Sequence, residues 1–376
     1  MRSILYITGT RADYGLMRHT LTTINASSDL SLKILVTGMH LSPKYGHTVD
    51  EIRADGFDIA AVVATNLDEG TGQSMATAIG EMIVAFTKIM SDNRPDILLV
   101  LGDRGEMLAG AIAAIHLNIP VAHIHGGERS GTVDEPVRHA ISKLSHFHFV
   151  ATQEANDRLT HMGENPRHIH IVGAPGIDGI LGLASWSRDQ LADELDLDPA
   201  RLVALMVFHP VLQEQADGAT YTRAIISQLL AKEFQIVALM PNSDSGSDHI
   251  RQILLQASER GEVTLAAHLP REKFVSWMAV ADLIIGNSSA GIIEAASFGT
   301  PVVNIGNRQN LRERNGNVID APPKRRAISD AIDDALSARR FERCNVYGDG
   351  HAADRITKLL ATMSIDAEVM DKCCSY

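Results

Sequence analysis

The fold is decided by the stretch Ala281-Asp-Leu-Ile-Ile-Gly-Asn-Ser-Ser-Ala-Gly-Ile-Ile-Glu-Ala-Ala-Ser-Phe-Gly-Thr-Pro-Val-Val-Asn-Ile-Gly306. Leu283–Ile285 form a short apolar run of the kind found in buried parallel strands. A serine cap at Ser288 or Ser289 predicts a helix, which should end at Gly299 before a second apolar strand. The order strand, polar turn, helix, strand is typical of an α/β domain.

The beginning of this predicted helix has the features of an anion site. Hydroxyl side chains and Gly291 leave backbone N–H groups free, and the helix dipole adds positive character at the same point. Glu294 lies one turn further along, where its carboxylate can reach a sugar hydroxyl. An ordinary capped helix has the same features, because serine caps are common and the segment is neither a P-loop nor a dinucleotide fingerprint. The stretch therefore indicates either a phosphate site or a simple cap.

Length and composition predict a soluble protein with two domains. The chain has 376 residues, 45% hydrophobic and 21% charged, and its apolar runs fall short of the roughly 18 residues that span a membrane. A strand begins at Ile4 without a secretory signal, and the three cysteines form neither a disulfide framework nor a zinc spacing, so we expect a cytoplasmic protein with free thiols. The net charge of −12 argues against nucleic acid or an anionic membrane as partner.

Apolar strands alternate with helical segments in two blocks, residues 1–175 and 176–351, which predicts two doubly wound α/β domains. The strands predicted in the first block are Ile4–Thr8, Lys33–Thr37, Ile97–Leu101, Val121–Ile124, Phe147–Ala151 and Ile169–Val172. Those predicted in the second block are Leu202–Phe208, Phe234–Met240, Val263–Ala267, Leu283–Ile285 and Val302–Ile305. A last amphipathic helix, within residues 352–376, could pack back on the first domain.

The loops that follow the strands contain many charged and polar side chains. Six of them carry His, Arg or Asp beside Gly, whereas a purely structural turn needs only Gly, Asn or Asp. Because the carboxyl ends of parallel strands share one edge of a sheet, we expect these loops to meet at a ligand. Besides the serine segment, the loops that follow the strands are Gly9–Gly15, Thr37–His40, Gly102–Arg104, His123–His139, Phe208–Pro210, Pro241–Gly246 and Gly306–Gln309.

Several of these side chains have two interpretations. Asp103 can act in catalysis, or it can cap the helix that begins near Glu106. Asp134 and Arg138 stand four residues apart and could be a solvated ion pair. The three glycines of the preceding loop favour a ligand instead, since they let the backbone approach it closely.

A metal site is not predicted. His123 and His125 lie on the same face of an extended segment and could form a pair of ligands. No spacing specifies a third ligand, and the other histidines are scattered along the chain.

Taken together, the loops resemble the UDP-N-acetylglucosamine 2-epimerase family, most closely its hydrolysing branch, which makes N-acetylmannosamine for sialic-acid biosynthesis. The resemblance covers nearly the whole chain. The motifs that carry it are Gly9–Gly15, Val36–His40, Gly102–Arg104, His125-Gly-Gly-Glu, Arg138–Lys143, Phe208–Pro210, Asp244–Gly246 and Gly286–Gly291. It implies two Rossmann-like domains with parallel sheets facing each other across a cleft, as in GT-B glycosyltransferases. It also implies that the second domain binds most of the nucleotide.

The resemblance further implies a set of site residues. Those expected to bind UDP are Arg11, His209, Asn242, Ser288, Ser289, Gly291, Glu294 and Arg308. Within this set, the two serines and the glycine would take the diphosphate, and Glu294 the ribose. Those expected to surround the sugar and carry out catalysis are Asp103, His125, Asp134 and Arg138.

The implied chemistry suits these residue types. The C2 proton of the sugar is not acidic while C1 is an acetal, so departure of UDP must come first. A carboxylate then takes the proton, a 2-acetamidoglycal forms, and water adds to give the inverted sugar. No metal or redox cofactor is required. Several relatives have Glu where this chain has His125, so the division of acid and base roles among Asp103, His125 and Asp134 stays open.

Other functions fit the same sequence. The nearest alternative is a hydrolysing 2-epimerase that acts on UDP-N,N′-diacetylbacillosamine, which differs at C4 and C6 of the sugar. A GT-B glycosyltransferase would hold UDP in a similar turn, and a non-catalytic nucleotide-sugar sensor would need the serine segment without the acidic loops. In solution we expect a homodimer or homotetramer.

Overall fold

The computed structural model describes residues 1–43, 46–65, 71–130, 134–211, 217–241, 246–266 and 269–375. The chain forms two compact units. The first contains residues 1–128, 133–178 and 347–376, and the second contains residues 129–132 and 179–346. The sequence placed these two divisions at residues 175 and 351. No helix in the described ranges is both long enough and apolar enough to cross a bilayer.

The strands are β1 (Arg2–Thr8), β2 (Leu30–Thr37), β3 (Ile59–Val63), β4 (Ile97–Leu101), β5 (Val121–Ile124), β6 (Phe147–Val150), β7 (Ile169–Ile171), β8 (Val203–Val207), β9 (Gln235–Leu239), β10 (Thr264–Ala266), β11 (Leu283–Gly286), β12 (Val302–Ile305) and β13 (Val318–Ala321). The helices are α1 (Arg11–Asn25), α2 (Val49–Ala54), α3 (Gly72–Asp92), α4 (Gly105–His116), α5 (Asp134–Leu144), α6 (Gln153–His161), α7 (Ile180–Leu183), α8 (Arg188–Glu194), α9 (Gly218–Ala231), α10 (Ser247–Glu259), α11 (Arg271–Val280), α12 (Ser289–Ile293), α13 (Arg325–Ala338), α14 (Ala352–Thr362) and α15 (Ala367–Met370).

Each unit contains one parallel sheet. Within the described residues, the first has seven strands in the order β3-β2-β1-β4-β5-β6-β7, and the second has six in the order β10-β9-β8-β11-β12-β13. In the first sheet, β2 and β3 lie on one side of β1 and the later strands on the other, so the strand order reverses between β1 and β4. The second sheet has the same reversal, called a topological switch point, between β8 and β11. Ligands of doubly wound proteins bind at the carboxyl ends of the strands beside such a point.

The strands that sequence reasoning missed are β3 and β13. Each lies at the edge of its sheet, and its side chains are mostly only partly buried. An edge strand needs fewer apolar residues than a central one, so its sequence pattern is weaker. The helix predicted to run to Gly299 is also shorter than expected: α12 has five residues and continues as a 3₁₀ turn over Ala295–Phe298.

Successive side chains of β1 pack alternately into two apolar cores of the first unit. Ile4 and Tyr6 pack in one cluster with residues of α1 and α14, whereas Leu5 and Ile7 pack in another with residues of α3 and α4. Successive side chains of a strand point to opposite faces, so a sheet covered on both sides needs such a continuous apolar run. Full burial of each large side chain contributes about 1.5–3 kcal/mol.

Helix α14 completes the first of these cores. Ile356 and Leu360 are fully buried in the cluster that contains α1. The helix begins on a buried carboxylate, because Asp178 accepts hydrogen bonds from the backbone N–H groups of Ala352, at 3.1 Å, and Ala353. Burial raises the pKa of Asp178. The segment after β7 and the last long helix of the chain are therefore tied together within one unit.

Candidate active site

Asp103 and Arg138 meet beyond the carboxyl end of β4. The Arg138 side chain, 1% exposed, contacts the Asp103 carboxylate through Nη2. Its Nη1 donates to the backbone oxygen of Glu128 at 3.0 Å. The residue at the cap position of α4 is Arg104, whose side chain makes no capping bond. Asp103 is therefore paired with an arginine from α5, and its catalytic role stays a prediction.

His125 lies at the end of the neighbouring strand, β5. The backbone N–H of Gly102 donates to Ile124 O at 2.9 Å, which ties the ends of β4 and β5 together. Nδ1 of His125 contacts Oε1 of Glu128, and both side chains are buried. The sequence analysis did not assign Glu128, although its spacing of three residues from His125 was visible.

His123 hydrogen-bonds to other groups. Its Nε2 donates to Gly102 O at 2.7 Å, and its Nδ1 lies 3.1 Å from Ser142 Oγ. Burial lowers the pKa of His123 to about 3. The two histidines thus have separate partners, and across the described ranges no group of three or more His, Cys, Asp or Glu could hold a metal ion.

Buried neutral histidines should make the protein sensitive to acid. Burial lowers the pKa of His40, His123 and His146 to about 4, 3 and 4, from 6.5. Between these values and pH 6.5 the unfolded chain binds more protons, so stability is lost as the pH falls through this window. Asp13 opposes this trend: burial raises its pKa to about 6, so the folded state keeps an extra proton between about pH 4 and 6. The effect of the three histidines is larger than that of the one carboxyl group. At about 1.4 kcal/mol for each pKa unit, we expect the free energy of unfolding in urea to be lower by about 3–6 kcal/mol at pH 5 than at pH 7.5.

His146→Gln tests this assignment. Nδ1 of His146 accepts from the backbone N–H of Val121 at 3.1 Å, and a glutamine oxygen can replace it. The variant should lose less stability between pH 7.5 and pH 5 than the wild type. An equal loss in both proteins would contradict the role of His146.

A buried carboxylate fixes the turn that carries Arg11, the first residue of α1. Asp13 accepts from the N–H groups of Gly9 and Thr10 at 3.1 and 2.7 Å, and the Thr10 hydroxyl caps the helix in return. Thr8 Oγ1 contacts Asp13 and lies 2.9 Å from Nε2 of His40. The loops after β1 and β2 are therefore joined by a polar network.

Asn287 organises the second unit at its switch point. Its side chain accepts from the N–H of His209 at 2.7 Å and donates to His209 O at 2.9 Å. Its backbone oxygen accepts from Arg308 Nη1 at 3.2 Å and from Gln309 Nε2 at 3.1 Å. One buried asparagine thus connects the loops after β8, β11 and β12. His209 and Arg308, both expected to bind UDP, lie on this connection, whereas Asn242 lies outside the described residues.

The serine segment follows Asn287. Ser288 caps α12 by accepting from Ala290 N at 3.3 Å, and Ser289 is the first helical residue. Gly291 faces the sheet, where an added Cβ would lie 3.0 Å from Val302 Cγ1, so this glycine lets the helix pack closely. Gly286 has φ +142°, and a Cβ there would lie 2.1 Å from Val207 O. These glycines let the turn approach the neighbouring strands closely.

Glu294 has an unexpected partner. Its buried carboxylate contacts Nη2 of Arg271, the first residue of α11. The guanidinium also lies 6.0 Å from the centre of the Phe274 ring. The pair joins two elements that sequence reasoning treated separately, and it places a cation beside the carboxylate expected to bind ribose.

These loops sit at the switch points of two Rossmann-like units, which places the protein in the class of GT-B-like α/β proteins. Within that class, the chain belongs to the UDP-N-acetylglucosamine 2-epimerase family, whose model matches residues 22–361. The predicted family and fold class are confirmed.

Two relatives and one solved structure illustrate the match. The chain is 48% identical over 376 residues, covering 100% of both sequences, to a hydrolysing UDP-N,N′-diacetylbacillosamine 2-epimerase of Legionella pneumophila. It is 35% identical over 350 residues to a UDP-N-acetylglucosamine 2-epimerase of Neisseria meningitidis, covering 93% of this chain and 92% of the relative. The crystal structure of UDP-GlcNAc 2-epimerase from Neisseria meningitidis bound to UDP-GlcNAc has a TM-score of 0.80 at 20% identity, covering 95% of this chain and 99% of that one.

Proposed function

We propose that this protein is a hydrolysing 2-epimerase whose substrate is UDP-N,N′-diacetylbacillosamine. The observation that carries the proposal is the 48% identity to the Legionella pneumophila enzyme over the full length of both chains. From the sequence alone, UDP-N-acetylglucosamine was the first choice and the diacetylated sugar the alternative. The comparison reverses this order. UDP-N-acetylglucosamine, with N-acetylmannosamine as product, becomes the second candidate, favoured by the 35% identity to the Neisseria meningitidis enzyme.

In the proposed reaction, UDP leaves with the electron pair of the C1–oxygen bond. A base takes the C2 proton, and the 2-acetamidoglycal forms. An acid then returns a proton to the opposite face of C2, while the oxygen of water bonds to C1 and its second proton passes to a base. The sum is hydrolysis with inversion at C2, and it needs two proton-transfer groups that act on different faces.

Asp103 and His125 are the pair proposed for these transfers. They follow the neighbouring strands β4 and β5, whose ends are hydrogen-bonded to each other. The guanidinium of Arg138 favours the ionised form of the Asp103 carboxylate, which suits a base. Asp134 begins α5, one turn before Arg138, and is the third proposed member of the group.

The proposed UDP site lies in the second unit, on the Ser288–Gly291 segment, His209 and Arg308, with Glu294 for the ribose. Support comes from Asn287, which holds the backbone of His209 and the side chain of Arg308 to one point. Since α12 has only five residues, hydroxyl and N–H groups rather than a long helix dipole must stabilise the diphosphate.

Substitutions in this segment should weaken UDP binding. We expect Ser289→Ala to raise the Kd of UDP about 3- to 10-fold, because one neutral hydrogen bond is worth about 0.5–1.5 kcal/mol. Glu294→Gln should raise it by about 10-fold or more through loss of a charged acceptor. Calorimetry with UDP measures both effects, and thermal unfolding must accompany it because Glu294 also pairs with Arg271. Ser337→Ala, on the exposed surface of α13, is the control; UDP affinity equal to wild type in both test variants would contradict the assignment.

Parallel turnover of the two UDP-sugars tests the proposed substrate. Each is incubated without an acceptor, and release of UDP and of the free sugar is followed. We expect kcat/KM for the diacetylated substrate to exceed that for UDP-N-acetylglucosamine by about 10-fold or more, the scale of a few pocket contacts. The reverse preference would establish the second candidate. A requirement for an acceptor would indicate a glycosyltransferase, and binding without turnover would indicate a sensor.

A further inference from the structure

The contact between His125 and Glu128 is a buried pairing of an imidazole with a carboxylate. Nδ1 of His125 contacts Oε1 of Glu128, and the side chains are 10% and 6% exposed. A carboxylate removed from water requires hydrogen-bond donors, and the imidazole N–H provides one. The two residues lie three positions apart in the loop after β5, so the pairing is local and does not depend on how distant segments meet.

The contact determines which ring nitrogen carries the proton. An ionised carboxylate only accepts hydrogen bonds, so the proton of a neutral His125 lies on Nδ1. The lone pair of the ring then belongs to Nε2, which is the atom left to exchange a proton with a substrate. This is the same division of labour by which a carboxylate orients a catalytic histidine in hydrolases.

The backbone around the pair is also constrained. His125 has φ +62°, in the left-handed region that non-glycine residues rarely adopt, and its N–H donates to Phe149 O at 3.1 Å. The Glu128 carbonyl accepts from Arg138, whose other nitrogen contacts Asp103. A single path of contacts thus runs from His125 through Glu128 and Arg138 to Asp103. Unusual backbone held by several contacts is a recurring property of active sites.

We propose that Glu128 is a positioning residue, which holds the His125 ring in one tautomer so that Nε2 exchanges the proton at C2 of the sugar. The inference rests on the proposed function and adds to it the identity of the proton-carrying atom. Glu128 itself does not touch the reacting atoms. Its carboxylate orients the ring and stabilises the imidazolium that forms when Nε2 accepts a proton.

Kinetics of Glu128→Gln test the proposal, because the amide keeps the size of the side chain but removes its charge. We expect kcat for the UDP-sugar to fall roughly 10- to 10²-fold with KM within about 3-fold of wild type, as for other residues that support a catalytic group. Glu128→Asp should recover part of the loss. His125→Gln combined with Glu128→Gln should be little slower than His125→Gln alone, since the residues act as a unit.

The pH profile of kcat separates positioning from a purely structural role. Glu128 contacts the ring, His123 is a titratable neighbour of it, and Arg138 and Asp103 are linked to it through the Glu128 backbone; only Glu128 changes in the variant. Glu128→Gln removes the carboxylate that contacts the ring, so the pH profile of kcat should change in the variant. An unchanged profile together with unchanged kcat would overturn the proposal.

Nitrogen NMR of the ring gives a readout that needs no activity. The wild-type protein should show His125 with its proton on Nδ1, and the Nε2–H form there would overturn the inference even if Glu128→Gln failed to fold. Failure of the proposed function gives a different result. In that case neither UDP-sugar is hydrolysed by the wild-type protein, while the tautomer measurement still decides the role of Glu128.

Discussion

Asp103→Asn should reduce turnover of the UDP-sugar by roughly 10²- to 10⁴-fold while UDP still binds, as expected when a general acid or base is lost. Asparagine preserves the shape and a hydrogen-bonding oxygen toward Arg138, so the contact between β4 and α5 can persist. It cannot accept a proton from C2. Steady-state release of UDP measures the loss, calorimetry with UDP measures binding, and solvent deuterium should not appear at C2 of recovered substrate.

The matched control lies at the other end of the same strand. Asp96 precedes β4, is exposed, and accepts from Ser3 N at 2.7 Å. Asp96→Asn should leave turnover close to that of the wild type, because it changes the same chemical group away from the carboxyl edge. Near wild-type turnover in Asp103→Asn would transfer the catalytic role to Asp134 and leave Asp103 as a structural partner of Arg138.

Arg138→Met should both destabilise the first unit and abolish most activity. The methionine leaves the Asp103 carboxylate and the Glu128 carbonyl without the donor they share. Breaking a buried ion pair costs about 3–5 kcal/mol, and we expect about 2–4 kcal/mol here because Asp103 is 24% exposed. Urea unfolding at pH 7.5 measures the loss.

A double variant separates the pair from simple packing. Asp103→Asn combined with Arg138→Met should be more stable than the sum of the single losses predicts, since the unpaired charge is gone. Arg53→Met is the surface control: Arg53 pairs with Asp50, and both side chains are exposed, so its loss should change stability little. Strictly additive losses in the double variant would show that Arg138 stabilises by packing alone.

The sequence predicted the central strands and the loops at their carboxyl ends, because burial on both faces leaves long apolar runs and glycine-rich turns stand out between them. Edge strands β3 and β13 were not predicted, because partly exposed strands have fewer apolar residues and therefore a weaker pattern. Side-chain partners were harder to predict. Arg138 is separated from Asp103 by 35 residues, and His209 from Asn287 by 78. Such pairs depend on which strands become neighbours in the sheet. The sequence pattern can place each residue at the carboxyl edge of its sheet, but it cannot predict which residues contact each other there.

The partners of Glu128 and Glu294 were also missing from the sequence prediction, for two different reasons. Glu128 lay inside a recognised loop, but its role depends on the φ of +62° at His125, which turns the chain back so that residues three apart touch. Glu294 lies one turn after the serines, as the sequence predicted. Its partner Arg271 belongs to α11, which comes before β11 in the chain. Sequence spacing therefore located the carboxylates, while the structure was needed to identify what holds each one.

The position of α14 bears on how the protein is made. The core of the second unit is formed by one stretch of chain between Ala204 and Ala335, so it can close as soon as that stretch has been synthesised. The first unit cannot close at that stage, because Ile356 and Leu360 of α14 complete the cluster around Ile4 and Tyr6. On the ribosome, the residues that are synthesised first must therefore keep one apolar face uncovered until α14 has been made, and exposed apolar surface of this kind promotes aggregation.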